Sequence, residues 1–459
     1  MEKQLIKSNT LVYLALVYSF ILIGYSFNKG LFSSPFQIIF LSLAWLIFFF
    51  SQLSISKKFF NFSFDLKVYL LCCNLLSFIL FFVFDGPIYI SIQSNKNIFI
   101  LKLVALILFS FYFWPFKFSG RNLFSFVYLH LKKRKFEYLI ILAGILYLTT
   151  IFYSPKPNID VYWFLDGGAK AIASGLNPYS QIFFNNYDPK DCQFNYGIPN
   201  CQNDNYSYLP LTIFTSFIAK LFFGDVRFFS VISIFAAAAI LYFIIKKIYQ
   251  YQQDVAQLIV LLILYLPLSL FVVEQAWSEP LSILLIYLFA LFFLLEKKSL
   301  AYLFFGLFLG VKQVSLVFFA FILKLKGFTF KNFVLVFLIL AAVILPFFIW
   351  SPADFINDAV IHHVLYKPPI HSLTFNTLSK IYFGRDLSSI IYLPPLIVLF
   401  GFLFFRKNKG DLAGLINSSL IFLFALFIIK QGFTNYYYSI ICGIILLLTL
   451  ELGRLKVNN

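Results

Sequence analysis

The sequence predicts an all-α fold, a polytopic bundle of transmembrane helices with a polar region gathered at one membrane surface. Of the 459 residues, 61% are hydrophobic and only 12% are charged, against about 25% charged residues in soluble domains. Apolar stretches of roughly 17–20 residues recur along the chain, which is the length needed to cross a bilayer. Basic residues cluster beside these stretches, as they do in membrane proteins.

The apolar stretches predict about fourteen crossings and one helix that lies on the membrane surface. The predicted spans are 11–27, 35–53, 68–84, 98–114, 138–153, 228–246, 256–273, 280–295, 299–311, 313–324, 332–350, 388–405, 413–429 and 434–450. The segment 209–223 is predicted to be the interfacial helix.

The positions of lysine and arginine predict the orientation of these spans. The basic run at 132–135 is expected in the cytoplasm, because short cytoplasmic loops are enriched in Lys and Arg. The other basic clusters fall on the same side only if 209–223 does not cross. Both termini are then cytoplasmic, and the loops 154–208 and 351–386 lie outside. We expect a multi-pass protein of a prokaryotic plasma membrane, with an internal eukaryotic membrane as the alternative.

The net charge of +17 does not indicate nucleic-acid binding, because the basic residues flank apolar spans. This distribution is typical of topology signals and of contacts with anionic lipids. Cys192 and Cys201 lie in the first outer loop and are disulfide candidates if that loop is outside. No spacing resembles a zinc site, so no metal and no cofactor are predicted.

Asp160 is the candidate general base. It follows the fifth predicted span and should lie at the bilayer edge beside Tyr162 and Trp163. A carboxylate there is suited to take a proton from a sugar hydroxyl. The alternative is that Asp160 only caps the helix predicted to follow it and to end at the turn Gly175-Leu-Asn-Pro.

Several short motifs around Asp160 resemble the first outer loop of GT-C superfamily glycosyltransferases. They are Asp160-x-Tyr162, an acidic residue at Asp166, Gly175-Leu-Asn177-Pro-Tyr179 and Tyr208-Leu-Pro-Leu. The chain is most similar to polyprenol-phosphate-mannose-dependent mannosyltransferases and to the enzyme that adds the first mannose to GPI-anchor precursors. The resemblance covers 138–459 and continues at Gly306–Gln313, Lys430-Gln431 and Asn435-Tyr-Tyr.

The sequence departs from those enzymes in three ways. It has Asn158-Ile-Asp160 where the GPI-type enzymes carry Asp-x-Asp, so only Asp160 can be the base. The stretch between Tyr179 and Tyr206 is longer and carries the two cysteines. The spans before residue 115 have no counterpart. We therefore divide the chain into accessory transmembrane helices, 1–136, and a glycosyltransferase-like module, 137–459.

The resemblance implies an inverting glycosyltransferase that moves a sugar, expected to be mannose, from a polyprenyl-phosphate donor to a glycolipid or cell-surface glycan acceptor on the outer face. Cations or N–H donors must then stabilise the departing phosphate. The candidates for that role are Lys312, Gln313, Arg227, His362, His363 and Lys430. The candidates for acceptor or sugar binding are Tyr162, Asp166, Asn177, Tyr179, Glu279, Gln431, Asn435 and Tyr436.

Each of these assignments has a plainer alternative. Lys312 lies within an apolar hairpin, where a lysine is costly unless paired or facing a polar cavity. Lys430 either binds the donor or snorkels from the end of a span. Arg227 follows Asp225, and structural pairing is the favoured interpretation. Glu279 belongs to an acceptor site or to an ordinary polar turn. The two adjacent histidines contact phosphate or lie in a solvated loop.

Two other functions remain open at this stage. An O-antigen-type polymerase or ligase would also act on lipid-linked sugars, through Arg and His of the later outer loop. A lipid or sugar transporter would place ionisable residues near the membrane centre and usually contains an internal repeat. In this sequence the polar residues are expected to gather at one membrane surface rather than at the membrane centre.

Overall fold

The computed structural model describes residues 5–51, 63–113, 123–184, 187–188, 190, 192, 201, 203–365, 369–406 and 410–457. Helices form nearly all of the regular structure in these ranges, which confirms the all-α class. The helices up to the first outer loop are α1 (Asn9–Ser26), α2 (Pro35–Phe50), α3 (Leu66–Phe84), α4 (Ile92–Ser110), α5 (Leu123–Lys133), α6 (Lys135–Tyr153) and α7 (Asp160–Ala173).

The remaining helices follow the first outer loop. They are α8 (Leu211–Phe223), α9 (Phe228–Phe243), α10 (Gln253–Leu264), α11 (Ser269–Glu274), α12 (Glu279–Leu294), α13 (Lys298–Leu309), α14 (Leu316–Ile322), α15 (Phe330–Trp350), α16 (Pro352–Ile356), α17 (His362–Leu365), α18 (Phe375–Phe383), α19 (Ser389–Phe405), α20 (Leu412–Ile429) and α21 (Thr434–Val457). Single-turn 3₁₀ or π segments lie at Phe27–Gly30, Pro178–Ser180, Ile244–Ile248, Gln313–Ser315 and Asn357–Ile361.

Strands are short and peripheral in the described part of the chain. Strand β1 (Leu5–Lys7) pairs antiparallel with β2 (Ser63–Asp65), and β3 (Phe183–Phe184) pairs antiparallel with β4 (Asn203–Asp204). The second pair lies in the first outer loop, where a disulfide also joins Cys192 to Cys201.

Eight helices of the described chain are long and apolar enough to cross a membrane. They are Asn9–Gly30, Leu66–Phe84, Ile92–Ser110, Lys135–Tyr153, Phe228–Ile248, Phe330–Trp350, Leu412–Ile429 and Thr434–Lys456. A further set of apolar helices is shorter, including α2, α10, α12, α13 and α19. The protein is therefore a multi-pass helical membrane protein, while the count of fourteen crossings stays a prediction.

One predicted span is broken in two. The stretch predicted at 256–273 divides into α10 and α11, because Pro267 cannot donate a backbone hydrogen bond and disfavours helical geometry in the residue before it. Leu268 then adopts a left-handed conformation with φ of 64°. The carboxylate of Asp85 accepts hydrogen bonds from the first turn of α11, at Leu270 N (3.2 Å) and Phe271 N (3.3 Å).

The N-terminal helices pack directly against the C-terminal half of the chain. Trp45 of α2 donates to the carbonyl of Ile421 in α20 (3.0 Å), and Asn74 of α3 donates to the carbonyl of Leu258 in α10 (3.0 Å). Such side-chain bonds to backbone carbonyls satisfy polar groups where water is excluded. The predicted boundary at 136 therefore does not separate two independent bundles.

Gly30 allows the closest of these approaches. It follows α1 with φ of +71°, and a Cβ atom there would overlap the side chain of Thr434 at the start of α21. The Thr434 hydroxyl donates to the carbonyl of Lys29. A side chain at position 30 would have to push α1 and α21 apart.

We predict that Gly30→Ala destabilises the protein by about 1–3 kcal/mol, the usual cost of a non-glycine residue in the left-handed region, with the overlap at Thr434 added. The measurement is the thermal unfolding midpoint of purified protein in detergent. Gly401→Ala is the matched control, because it lies within α19 and nothing is within 4 Å of its added Cβ. Equal midpoints for the two variants would contradict the close packing of α1 on α21.

Candidate functional site

A pocket of about 320 Å³ lies where the loop 154–208 meets the segments that precede α18 and α21. This volume falls within the usual range for small-molecule sites, about 300–1,000 Å³. Six of the residues predicted from the sequence line it, namely Asp160, His362, His363, Gln431, Asn435 and Tyr436. They come from three separate parts of the chain, so the fold alone brings them together.

Asp160 is the first residue of α7, and its position bears on both of its predicted roles. Its Oδ1 accepts a hydrogen bond from Val161 N (2.7 Å), and its own N–H donates to the hydroxyl of Tyr187 (3.2 Å). The N-cap position of α7 is Ile159, so Asp160 is not the capping residue; its carboxylate binds the N–H of the next residue and lines the pocket. The helix ends before Gly175, which has φ of +72°, as the Gly-Leu-Asn-Pro turn predicts.

Burial raises the pKa of the Asp160 carboxyl above its ordinary value, because desolvation disfavours the charged form. Hydrogen bonds from Val161 and Tyr187 act in the opposite direction by favouring the carboxylate. A carboxylate whose pKa is raised towards neutrality is better matched to general-base work than an exposed one.

Three histidines line the same pocket. They are His362, His363 and His371, and burial lowers the pKa of each one because it disfavours the imidazolium ion. His363 Nε2 lies 2.6 Å from the carbonyl of Ser207, so this nitrogen is the one that carries a proton. The histidines are therefore neutral imidazoles near neutral pH, and the Nε2–H of His363 is already bound to Ser207 O.

A buried ion pair lies beside the pocket. Lys312 Nζ is 2.5 Å from Glu279 Oε1, and Asn435 Nδ2 donates to the same oxygen at 2.7 Å. Lys312 and Glu279 are only 6% and 3% exposed. The ammonium also lies over the rings of Tyr208 (4.5 Å) and Tyr436 (5.2 Å), so cation–π attraction adds to the ion pair.

An apolar slot adjoins the pocket on the far side of this ion pair. Glu279, Lys312 and Tyr436 stand at its polar end, and Tyr436 lines both cavities. Helices α12, α14, α20 and α21 form its walls with side chains such as Ile286, Phe318, Leu420, Leu423 and Phe427. The slot is narrow, at about 60 Å³. The pocket with Asp160 and the apolar slot thus adjoin each other at Tyr436.

The other predicted residues have structural partners and do not line the pocket or the slot. The Arg227 guanidinium is fully buried and donates to Asp225 and to the carbonyls of Ser154 and Ile151. This is the structural pairing that the sequence favoured. Lys430 lies over the ring of Tyr392, at 5.4 Å.

The candidates between Asp160 and Tyr179 also have partners within the protein. Asp166 pairs with Lys170 (2.8 Å) and with Lys220 of α8. Tyr179 donates to the carbonyl of Tyr208 (2.6 Å), and Asn177 caps the turn at Tyr179. The Tyr162 hydroxyl donates a hydrogen bond to the carbonyl of Pro155 (3.2 Å). The Gln313 side chain donates to the carbonyls of Ser207 (3.0 Å) and Ala359 (2.8 Å). Lys367, a further cation of the segment 351–386 and a candidate phosphate contact by sequence, lies outside the described residues.

Sequence reasoning missed the part of the pocket that the N-terminal helices supply. Leu31, Ile88 and Tyr89 line it, and the loop between α3 and α4 is held there by Glu274. The two Glu274 carboxylate oxygens accept hydrogen bonds from Ile88 N (2.7 Å) and Tyr89 N (2.8 Å). Apolar side chains in a segment far from Asp160 carry no signal in the linear sequence.

No family model, curated protein or solved structure matches this chain. The resemblance to GT-C glycosyltransferases therefore stays a prediction. Within the described residues, no group of three His, Cys, Asp or Glu side chains is arranged to hold a metal ion.

We predict that Lys312→Met strongly destabilises the protein, because it leaves the Glu279 carboxylate buried without its counter-ion, at a cost of about 3–5 kcal/mol. Adding Glu279→Gln should recover much of that loss, since the glutamine oxygen can still accept from Asn435. The measurement is a double-mutant cycle of thermal unfolding midpoints in detergent.

The matched control is Lys170→Met, which removes a largely exposed partner of Asp166. The Asp166 carboxylate is buried but keeps Lys220 as its second partner, and an exposed lysine contributes only about 0–1 kcal/mol. This variant should therefore unfold close to the wild type. Purely additive effects of the Lys312 and Glu279 substitutions would contradict a coupled buried pair.

Proposed function

We propose that the protein is a membrane glycosyltransferase that uses a polyprenyl-phosphate sugar as donor and Asp160 as general base. One observation carries the proposal: a pocket that contains Asp160, three histidines and polar amides adjoins an apolar slot between transmembrane helices, and Tyr436 lines both. A lipid-linked sugar needs both environments side by side. The expected sugar is mannose and the expected acceptor a glycolipid or cell-surface glycan, as the resemblance implies.

The proposed reaction is a single displacement. The Asp160 carboxylate takes the proton from an acceptor hydroxyl, and that oxygen forms a bond to the anomeric carbon. The bond between the anomeric carbon and the phosphate oxygen breaks, and polyprenyl phosphate leaves with the electron pair. The anomeric configuration is inverted because one attack occurs from the face opposite the leaving group.

The pocket contains donors for the departing phosphate. Imidazole N–H groups of His362 and His371 and the Lys312 ammonium at the polar end of the slot suit this task. Gln431, Asn435 and Tyr436 provide amide and hydroxyl groups for sugar hydroxyls. At its present width the slot accepts only the first section of a prenyl chain. The helices around it have to move apart to accommodate a longer section of the chain.

The proposal includes the predicted topology. With about fourteen crossings and both termini in the cytoplasm, the pocket faces the outside, where the donor head group would lie. Helix α8 supports an interfacial position, because Ile218, Leu221, Phe222 and Phe223 leave an apolar surface uncovered by the protein.

We predict that Asp160→Asn lowers the rate of sugar transfer by at least about 10²-fold, within the usual contribution of a general base. The asparagine Oδ1 can still accept from Val161 N, so helix α7 should stay intact. The measurement is transfer of radiolabel from polyprenyl-phosphate-mannose to a cell glycolipid extract by purified protein in lipid.

Asp188→Asn is the control, because Asp188 is an exposed carboxylate of the same loop that does not line the pocket. It should transfer sugar at the wild-type rate. Transfer that survives Asp160→Asn would reject the general-base assignment.

We predict that kcat/KM falls as pH drops through the raised pKa of Asp160, because protonation removes the base. This acid limb should therefore lie at higher pH than the pKa of a free aspartate, which is about 3.9. Tyr187→Phe removes a hydrogen bond that lowers this pKa, so the limb should move to higher pH. A limb that stays in place in Tyr187→Phe would contradict the coupling between Tyr187 and Asp160.

A polymerase or ligase of lipid-linked glycans is the second candidate, and the three histidines in the pocket favour it. In that reaction a histidine, rather than Asp160, would activate the acceptor. Loss of transfer in His363→Gln together with retained transfer in Asp160→Asn would favour this candidate.

A further inference from the structure

A second, open cavity lies among the N-terminal helices. Its volume is about 1130 Å³, and it is bounded by the end of α3, the loop that follows and the first half of α4. Ile88 lines both this cavity and the candidate pocket, so the two cavities lie at the same end of the bundle. Three lysines line it, Lys29, Lys96 and Lys102.

The ammonium groups of Lys29 and Lys102 donate to backbone carbonyls, and each also lies 5.9 Å from the centre of an aromatic ring, Phe271 for Lys29 and Phe82 for Lys102. Lys29 donates to Phe84 O (2.9 Å) and Gly86 O (2.6 Å). Lys102 donates to Phe82 O (2.9 Å) and Asp85 O (2.5 Å). An ammonium has three N–H donors, so one donor of each lysine is left over. None of the ion pairs in the described chain includes any of the three lysines.

The nearest carboxylates, Asp85 and Glu274, are close enough to attract the two carbonyl-bound ammonium groups, but no ion pair of the described chain joins them. The Asp85 side chain accepts from the backbone of α11, and the Glu274 side chain accepts from Ile88 N and Tyr89 N on the loop. Both carboxylates are buried, at 3% and 0% exposed. Three lysines face two carboxylates that backbone N–H groups already bind, which leaves a net positive charge beside an open cavity.

The rim of the cavity is apolar and uncovered by protein. Ile92, Phe99 and Ile100 line it and are 81%, 48% and 56% exposed. Apolar side chains of a membrane-spanning helix that no other helix covers face acyl chains. The surroundings therefore combine positive charge with a lipid-facing surface at the end of a span.

We propose that this cavity binds the phosphate head group of an anionic glycerophospholipid of the bilayer, with the acyl chains against the exposed face of α4. Basic pockets between transmembrane helices near the membrane surface suit such head groups. This site is separate from the proposed catalytic pocket, and the proposal does not depend on the glycosyltransferase function. The bound lipid would brace the loop that forms one wall of the candidate pocket.

The test is native mass spectrometry of the purified full-length protein, titrated with phosphatidylglycerol or with phosphatidylcholine. We expect the wild-type protein to bind phosphatidylglycerol in clear preference to phosphatidylcholine. Lys96→Gln should bind phosphatidylglycerol about fivefold more weakly, since each lysine near such a surface contributes about 1 kcal/mol. Lys96 is exposed, so this variant should fold normally. The double variant Lys29→Gln, Lys96→Gln should bind more weakly still.

Lys156→Gln is the matched control, because Lys156 is an exposed lysine that does not line the cavity. It should bind phosphatidylglycerol like the wild type. Equal binding of the two phospholipids, or wild-type affinity in Lys96→Gln, would overturn the proposal. A stronger preference for polyprenyl monophosphate that Lys96→Gln abolishes would also overturn it and assign the site to the substrate lipid instead.

Discussion

The buried ion pair between Lys312 and Glu279 is the interaction on which the candidate site depends. An ammonium and a carboxylate can remain charged in an apolar bundle when each neutralises the other and neighbouring groups add further contacts. Asn435 donates a hydrogen bond to Glu279 Oε1, and the rings of Tyr208 and Tyr436 attract the ammonium, while Glu279 Oε2 has no hydrogen-bond partner among the described residues. The pair thereby connects the start of α12, the turn after α13 and the start of α21, and it divides the candidate pocket from the apolar slot.

The N-terminal helices also contribute to the candidate pocket. Glu274 binds the loop between α3 and α4 through two backbone N–H groups, and Asp85 of that loop caps α11 in return. Each carboxylate satisfies backbone groups that would otherwise be buried without partners. This exchange explains why Ile88 and Tyr89 reach the pocket wall. Helices that the sequence suggests are accessory therefore shape the site.

Some site residues could be predicted because their chemistry is unusual for their position. Asp160 directly after a span, Lys312 within an apolar hairpin and a histidine pair in a polar loop each conflict with their local surroundings. Arg227, Asp166 and Asn177 show the same kind of conflict, yet the structure resolves it with local partners such as Asp225 and Lys220. A sequence shows that a polar side chain needs a partner and leaves open whether that partner is protein or ligand.

The sequence by itself determined that the chain is a multi-pass helical membrane protein, because hydropathy and basic clusters reflect transfer from water to lipid, which is a local property of each segment. It also determined the turn at Gly175 and the start of α7. Only the tertiary structure decided that Asp160, His371 and Asn435 meet in one pocket. It also decided that the predicted span 256–273 is divided at Pro267 and that Asp85 binds the first turn of α11, the second of the two helices. These features arise from contacts between distant segments, where buried polar groups must find partners across helices.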